Sequence, residues 1–243
     1  TWQMAPFLDD YDDIFTALSQ SQQQGDEPVR PILDVGCGRG EFVEHLTDLG
    51  LSAYGIDVDV DAVEMGRSAH RDVRQEDVFL HLSSLPDDSL AAVTLIQVIE
   101  HFEIVDLLRL FKLVFQKLAP GGFIVAETIN PTCLLALSNW YLLDPSHRTP
   151  LHPQMTRFLI EQAEFERVDI RFLHPVPEGG RLALLPAPES APDLRLWAER
   201  LNCNFERLND FLYGPQDYAV IAYKVDYRGA SEAGAAGVQT GRG

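Results

Sequence analysis

The amino-acid sequence predicts an α/β fold built on a doubly wound, mostly parallel sheet of seven strands. Short apolar runs alternate with helical patterns along the chain, which is the order that a parallel sheet with helices on both faces requires. A glycine-rich turn joins the first run to the first helix of the alternation, and an aspartate ends the second run. The 243 residues are enough for one domain with a large core.

Apolar runs bounded by turn-forming residues supply the predicted strands, at residues 31–35, 53–57, 72–76, 92–96, 122–127, 167–173 and 218–224. Apolar residues at helical spacing predict the helices, at residues 9–21, 41–49, 60–68, 104–118 and 153–163. Pro153 suits a first helical position. The last two strands are expected to form an antiparallel hairpin at one edge of the sheet.

Composition along the chain predicts the domain organisation. Residues 1–28 are expected to form a helical segment with a polar linker, and residues 29–225 one domain. Residues 226–243 are rich in Gly and Ala and are predicted to be disordered. Two insertions are expected in the domain, a lid at 129–153 and a segment at 174–216 that begins as a proline-rich loop.

Charge and composition exclude several classes of protein. The net charge of -18 argues against a nucleic-acid partner, since phosphate backbones are bound by Lys and Arg. No apolar run is long enough for a membrane span, and no secretory leader is evident, so a cytoplasmic location is expected. Cys37, Cys133 and Cys203 are widely scattered and predict neither disulfides nor a zinc site, so no metal is expected. The chain begins at Thr1, which indicates a processed product or a piece of a longer polypeptide.

The glycine-rich turn after the first strand predicts a nucleoside site. Gly36, Gly38 and Gly40 stand at alternate positions, where the absence of Cβ atoms lets the backbone approach a ligand. Asp34 precedes them, and Asp57 follows Gly36 by 21 residues at the end of the second strand. An acid at about this distance hydrogen-bonds the ribose hydroxyls in nucleotide-binding βαβ units.

Glu41 indicates which nucleoside derivative binds. It stands where a dinucleotide fingerprint has its third glycine, and its carboxylate would repel a pyrophosphate. This disfavours a nicotinamide-dependent oxidoreductase. S-adenosylmethionine carries no phosphate, and its ammonium can pair with Asp34. With the spacing D-x-G-C-G-x-G, the chain resembles the class I S-adenosylmethionine-dependent methyltransferases, which have a Rossmann-like fold.

The resemblance implies further cofactor contacts after the third and fourth strands. Asp77 is expected near the adenine amino group, with Val78 as an apolar contact, although Asp77 could instead cap a helix. Cys37 is expected to be a packing residue rather than a nucleophile. The predicted cofactor-binding residues are Asp34, Gly36, Cys37, Gly38, Gly40, Asp57, Val58, Asp77, Val78 and Gln97.

The end of the fourth strand is expected to face the sulfonium, because ligands of open α/β sheets bind at the switch in strand order. The V-x-E-H sequence there resembles that of methyltransferases of ubiquinone synthesis. Glu100 would orient the substrate and His101 would act as a base, or His101 would only cap the next helix and shield the methionine moiety.

The segment after the fifth strand narrows the resemblance. Its E-T-x-N-P and Y-x-x-D-P-x-H sequences, with the later G-P-Q-D-Y-A, resemble a bacterial subgroup associated with O-antigen chain termination in lipopolysaccharide biosynthesis. That subgroup often occurs beside glycosyltransferase or kinase modules. The resemblance implies a saccharide acceptor, with the substrate-binding residues Glu100, Asn130, Tyr141 and Arg148.

Which residues are needed for catalysis depends on the acceptor group. A hydroxyl needs a base, for which His101, His147 and His152 are the candidates, whereas a phosphate would need only Arg148 for positioning. A single arginine in so acidic a chain favours the hydroxyl. The alternatives are a phosphate acceptor, another small-molecule O-methyltransferase, and a catalytically silent scaffold that binds S-adenosylmethionine.

Overall fold

The computed structural model describes residues 8–24, 28–188 and 191–225. The strands are β1 (Ile32–Val35), β2 (Ala53–Asp57), β3 (Val73–Gln75), β4 (Leu90–Ile96), β5 (Leu118–Ile129), β6 (Glu166–Pro175) and β7 (Pro215–Tyr223). The helices are α1 (Asp12–Gln24), α2 (Glu41–Asp48), α3 (Val60–Ser68), α4 (Val78–Ser84), α5 (Ile104–Lys117), α6 (Leu134–Ala136), α7 (Pro153–Glu161) and α8 (Pro192–Leu212). The predicted disordered tail, 226–243, lies outside the described residues.

The seven strands form one sheet in the order β3-β2-β1-β4-β5-β7-β6. The first five strands pair in parallel, and β7 pairs antiparallel with both β5 and β6. The predicted fold class and the antiparallel edge hairpin are therefore confirmed. Strand order reverses between β1 and β4, and a ligand cleft is expected beyond their carboxyl ends.

Side chains of β1 alternate between the two faces of the sheet, as the period of a strand requires. Leu33 joins the core beneath α5 and α7, which includes Phe111 and Ile160. Ile32 joins the core on the opposite face, where Phe15 of α1 and Phe42 of α2 pack. Both faces are covered, so only the ends of the parallel strands remain open to a ligand.

Several elements differ from the predictions, among them β5, α4 and α8. β5 begins at Leu118 rather than at residue 122, because Leu118 pairs with Leu90 before an irregularity in the register. α4 was not predicted, and α8 occupies the later part of the expected insertion, where no helix was predicted. Its residues Leu194, Trp197, Leu201, Phe205 and Leu208 stand at helical spacing in the sequence, so the pattern that indicates this helix is present, although the helix buries only Ala198 and Asn209. Within the described ranges, no helix has the length and apolar character needed to cross a bilayer.

Candidate active site

A cleft of about 910 Å³ lies beyond the carboxyl ends of β1 and β4. It is bounded by the glycine turn, α3, the end of β4 and the segment after β5. The lining residues are Asp34, Gly36, Cys37, Gly38, Arg39, Glu41, Phe42, Asp59, Asp61, Ala62, Met65, Ile96, Gln97, Glu100, His101, Ile129, Trp140, Leu143, Asp144, Pro145 and His147.

The glycine turn needs glycine for two different reasons. Gly36, Gly38 and Gly40 have φ angles of +67°, +53° and +77°, a region that other residues rarely adopt. A Cβ atom at Gly36 would come within 2.4 Å of the Val98 Cγ2 atom, so close packing excludes a side chain there. A Cβ atom at Gly38 would meet nothing within 4 Å. Because Gly38 lines the cleft, that open space is where the backbone can approach a ligand.

Asp57 fixes the glycine turn to the end of β2. Its Oδ2 atom accepts a hydrogen bond from the Gly38 main-chain nitrogen at 2.7 Å, and its Oδ1 atom accepts one from Asp59 at 2.8 Å. Asp57 does not itself line the cleft, and each of its carboxylate oxygens keeps a second lone pair with which to accept from a ribose hydroxyl. Val58 beside it is 69% exposed and offers apolar surface.

Asp34 is a buried carboxyl group in the cleft wall. Its Oδ1 atom accepts a hydrogen bond from the Thr94 hydroxyl at 2.6 Å. Burial raises the pKa of Asp34 to about 7, the Thr94 bond opposes this, and the charge of Asp57 adds to it. A cationic group of a ligand beside Asp34 would restore its ionised form, which fits the ammonium of S-adenosylmethionine.

The other groups of the turn fit a ligand without phosphate. Glu41 lines the cleft and pairs with Arg39 at 2.6 Å, so Arg39 is committed to a carboxylate. Burial raises the pKa of the Cys37 thiol, and the side chain packs so closely on Gly55 that a Cβ there would lie 2.5 Å from its sulfur. Cys37 is thus a packing residue and not a thiolate nucleophile.

Asp77 and Val78 have structural roles. The Asp77 Oδ1 atom accepts hydrogen bonds from the main-chain nitrogens of Phe79 and Leu80, at 2.9 and 3.0 Å, and caps α4. Val78 is buried in the core under α5. The predicted role of Asp77 as a helix cap is therefore observed. Neither residue lines the cleft, as Asp57 and Val58 also do not, and their contact with the base stays a prediction.

Gln97 lies at the end of β4 with a φ angle of +55°. Its Nε2 atom donates hydrogen bonds to Glu127 Oε1 at 3.2 Å and to Asp217 Oδ1 at 3.0 Å. The second oxygen of Glu127 accepts a short hydrogen bond from the Tyr11 hydroxyl of the N-terminal segment. Burial, opposed by the Tyr11 bond, raises the pKa of Glu127 to about 7. This network holds the cleft wall in place from behind.

His174 completes the network. Its Nδ1 and Nε2 atoms lie 2.8 Å from Asp217 and 2.7 Å from Asp10. Burial opposes protonation of this imidazole, but the hydrogen bonds to both carboxylates outweigh burial and raise its pKa to about 9. A charged His174 therefore joins the segment before α1 to the β6–β7 hairpin.

Three titratable residues meet on the opposite wall of the cleft. Glu100 is buried, and its Oε2 atom accepts a hydrogen bond from Thr128 at 2.8 Å. The His147 Nε2 atom lies 4.0 Å from Glu100 Oε1, and the rings of His101 and His147 are 4.8 Å apart. Burial raises the pKa of Glu100 to about 7, while burial and the neighbouring His147 lower that of His101.

Tyr141 lies behind these residues. Its ring is 4.8 Å from that of His147, and its buried hydroxyl has no hydrogen-bond partner among the described residues. Burial and the charge of Glu100 raise the pKa of this hydroxyl to about 12. The hydroxyl is therefore protonated and can donate, and Tyr141 does not itself line the cleft.

The remaining predicted substrate residues lie elsewhere. Asn130 is buried, donates to the Pro215 carbonyl at 2.9 Å and accepts from the Thr132 hydroxyl at 2.8 Å, so it stabilises the loop after β5. The Arg148 side chain is exposed and does not line the cleft. His152 caps α7 by accepting from the Gln154 nitrogen at 3.2 Å, and we do not retain it as a candidate base.

Several lining residues were not predicted. Asp59, Asp61, Ala62 and Met65 lie at the start of α3 or on it, and Leu143, Asp144 and Pro145 lie in the segment after β5. Their only signal in the sequence is proximity to a motif. Asp59 and Asp61, which follow Asp57 closely in the sequence, are cleft residues that this proximity indicates.

Two groups of side chains bring ligand atoms within 4.8 Å of one another: Glu100 with His101 and His147, and Glu127 with His174 and Asp217. In the second group both nitrogens of His174 already contact carboxylates, those of Asp217 and Asp10. Glu127 and Asp217 each also accept a hydrogen bond from Gln97. The three residues of the first group, Glu100, His101 and His147, all line the cleft.

Comparison with known proteins agrees with this geometry. A methyltransferase domain family matches residues 7–170. A crystal structure of an S-adenosylmethionine-dependent methyltransferase from Archaeoglobus fulgidus is 32% identical and superposes with a TM-score of 0.73 over 90% of this chain and 98% of that one.

Curated relatives match over shorter stretches. A protein of Mycolicibacterium smegmatis described as a "probable S-adenosylmethionine-dependent methyltransferase" is 30% identical over 148 residues, 58% of this chain and 53% of that protein. A ubiquinone biosynthesis O-methyltransferase of Psychrobacter cryohalolentis is 31% identical over 109 residues, 42% of this chain and 41% of that protein. The chain thus spans about half the length of these relatives or less.

Fold, cleft and relatives together define a class I methyltransferase. The chain belongs to the S-adenosylmethionine-dependent methyltransferase family. S-adenosylmethionine is its cofactor, as the glycine turn and Asp34 indicated.

Proposed function

We propose that this methyltransferase acts on a hydroxyl group of a saccharide. The observation that carries the proposal is the group formed by Glu100, His101 and His147, whose polar atoms meet on the cleft wall beyond β4. A hydroxyl must lose its proton as it is methylated, and these residues are the ones in the cleft equipped to assist that loss.

His147 is the base that the hydrogen bonds favour. Its Nδ1 atom lies 2.7 Å from the Tyr141 carbonyl oxygen, which can only accept, so Nδ1 carries the proton. The Nε2 atom is then the unprotonated one and can take a proton from an acceptor hydroxyl.

The charge of the cleft argues against a phosphate acceptor. Its carboxylates are Asp34, Glu41, Asp59, Asp61, Glu100 and Asp144. Arg39 is the sole Lys or Arg among the described lining residues, and it is paired with Glu41. A neutral acceptor suits such a wall, and the exposed indole ring of Trp140 provides apolar surface for one face of a sugar ring.

When bound, S-adenosylmethionine supplies a methyl carbon that bonds to the acceptor oxygen while its bond to sulfur breaks and the electron pair leaves with sulfur. The chain's part is alignment of the oxygen about 3 Å from that carbon and removal of the hydroxyl proton. The relative from Psychrobacter cryohalolentis is an O-methyltransferase of ubiquinone biosynthesis, which supports the choice of oxygen.

The resemblance to the O-antigen subgroup supports the saccharide, and with it a cytoplasmic role beside glycosyltransferase or kinase modules. The test is a transfer assay with methyl-labelled S-adenosylmethionine and three acceptors: a mannose trisaccharide, its terminal phosphomonoester and a catechol. We expect label on the trisaccharide and at least tenfold less in His147→Ala, with His70→Asn as the control for an exposed histidine.

If the phosphomonoester or the catechol is labelled faster than the trisaccharide, the acceptor is that group and not a saccharide hydroxyl. Tight binding of S-adenosylhomocysteine without transfer to any of the three would contradict the saccharide proposal and favour the silent scaffold.

A further inference from the structure

The cleft wall opposite the glycine turn carries two imidazoles and a carboxylate with converging ligand atoms. These atoms all lie within 4.8 Å of one another, and Nε2 of His147 is 4.0 Å from Oε1 of Glu100. Ligand atoms of a tetrahedral zinc site lie about 3.4 Å apart, given zinc–ligand distances of about 2.1 Å. Small side-chain rotations would close that difference, because His101 is exposed and its hydrogen bond to Ser146 lies at the exposed surface.

Both histidines have the nitrogen that points away from the cleft held by a neighbour. Nδ1 of His147 donates to the Tyr141 carbonyl at 2.7 Å. Nδ1 of His101 lies 3.0 Å from the Ser146 hydroxyl, which donates to Asp144 at 2.5 Å and therefore accepts from His101. Both rings thus present an unprotonated Nε2. Metal-binding histidines are typically oriented by this kind of outer hydrogen bond.

The carboxylate is prepared in the same way. The Glu100 side chain is 1% exposed, and its Oε2 atom accepts from Thr128 at 2.8 Å, which leaves Oε1 directed at His147. The ring of Tyr141 lies 4.8 Å from that of His147, and its hydroxyl is buried and without a partner among the described residues.

We propose that Glu100, His101 and His147 bind a divalent transition-metal ion, with zinc best suited to the ligand set. Two histidines and one glutamate form a catalytic type of zinc site in which a further position stays open to water or substrate. The proposal rests on the proposed function and deepens it. The acceptor hydroxyl would occupy the open position, its pKa would fall, and its proton would pass to solvent instead of to His147.

The proposal also explains why sequence spacing predicted no metal. His147 is 46 residues beyond His101 and lies on a different element, so no short ligand motif exists. The fold brings the two together because the chain returns over the cleft after β5. The main-chain nitrogen of Arg148 donates to the Glu100 carbonyl at 2.8 Å and holds this return in place.

The test is direct titration of the full chain, stripped with a chelator, with Co²⁺ followed by visible absorption. We expect one saturable site per chain with the intensified bands of a low-coordinate ion, and displacement of Co²⁺ by Zn²⁺. Glu100→Gln and His147→Ala should each weaken Co²⁺ binding at least tenfold. His70→Asn should bind Co²⁺ like the parent chain, because His70 is exposed outside the cleft and Asn tolerates its φ of +63°.

As a control, binding of S-adenosylhomocysteine is measured for each variant, and a variant that binds it is folded. The absence of a saturable site, or equal Co²⁺ affinity in His147→Ala and the parent chain, would overturn the metal proposal. The proposed methyl transfer would survive that result, with His147 as the base. Conversely, Co²⁺ binding at these residues without any methylation of the saccharide would leave the metal site standing and the proposed function refuted.

Discussion

Gln97 and Asp217 are 120 positions apart in the chain, yet Nε2 of Gln97 donates to Oδ1 of Asp217 at 3.0 Å. The same amide also donates to Glu127, so one donor group separates two carboxylates. This arrangement fixes the end of β4 against the β6–β7 hairpin, and Gln97 itself faces the cleft. The shape of the cleft wall therefore depends on a neutral donor at position 97.

Replacement of that donor by an acceptor should destabilise the fold. Gln97→Glu keeps the shape of the side chain but removes two hydrogen bonds and adds a third carboxylate. We expect the free energy of unfolding to fall by about 2–4 kcal/mol at pH 8. Urea denaturation measures it, with Gln154→Glu at the exposed start of α7 as the matched control. An equal loss of stability in the two variants would show that the hydrogen bonds of Gln97 to Glu127 and Asp217 do not stabilise the fold.

Gly38→Ala should separate cofactor binding from folding. The new methyl group meets nothing within 4 Å, so the substitution adds only the strain of a φ near +53°. Gly121→Ala is the matched control, since its φ is +81°, its Cβ is also in open space, and it lies away from the cleft. Both variants should lose about 1 kcal/mol of stability. Only Gly38→Ala should weaken S-adenosylhomocysteine binding, by about tenfold or more, as measured by calorimetry. Equal affinities of Gly38→Ala and Gly121→Ala for S-adenosylhomocysteine would show that the ligand does not contact this turn.

Asp34 should make cofactor affinity depend on pH. Its pKa of about 7 without ligand means that the carboxyl group is largely neutral at pH 6 and ionised at pH 8. Because an ammonium requires the ionised form, the Kd for S-adenosylhomocysteine should rise about tenfold as the pH falls from 8 to 6. Asp34→Asn should bind more weakly at pH 8 and lose this part of the pH dependence. A parallel pH profile in the variant would exclude Asp34 as the partner of the ammonium.

His174 should make the stability of the fold depend on pH in the opposite direction. Its pKa is about 9 in the fold against 6.5 as the ordinary value. The stabilisation from its ion pairs is thus fully present below pH 6.5 and is lost as the pH rises through 9. We expect a loss of about 1–3 kcal/mol between pH 6.5 and 9.5.

His174→Asn isolates this effect, because Asn accepts the residue's φ of +52° and does not titrate. The buried acids Asp34 and Glu100 titrate near pH 7 in both proteins, whereas the charge of His174 also lowers the pKa of Glu127, so the difference between the two curves reports His174 together with its effect on Glu127. Superimposable curves above pH 7 would show that the two carboxylates do not stabilise a charged imidazole.

Sequence patterns predicted the parts of the molecule that local chemistry determines. The glycine turn, Asp34 and Asp57 lie next to each other because β1 and β2 are neighbours, and their spacing follows from one βαβ unit. Strand positions also followed from short apolar runs. α8 was missed although Leu194, Trp197 and Leu201 stand at helical spacing, because the prolines before it drew the whole segment into a loop assignment.

The acceptor side of the cleft was less predictable, because its residues come from distant elements. His147 was one of three candidate histidines, and only the fold distinguishes it from His152, which caps α7. Asn130 and Asp77 carry side chains that suit a ligand equally well, but nearby main-chain groups use them. No pattern in the sequence indicates which partner a short polar side chain will choose.

The central claim is that the cofactor's methyl group points at the wall formed by Glu100, His101 and His147. A crystal structure of the complex with S-adenosylhomocysteine tests it most directly. The account predicts the amino-acid end of the ligand at Asp34, the adenosine beside Asp57, and the sulfur facing the three residues. A ligand bound with its sulfur toward Asp61 and Met65 of α3, away from that wall, would contradict it.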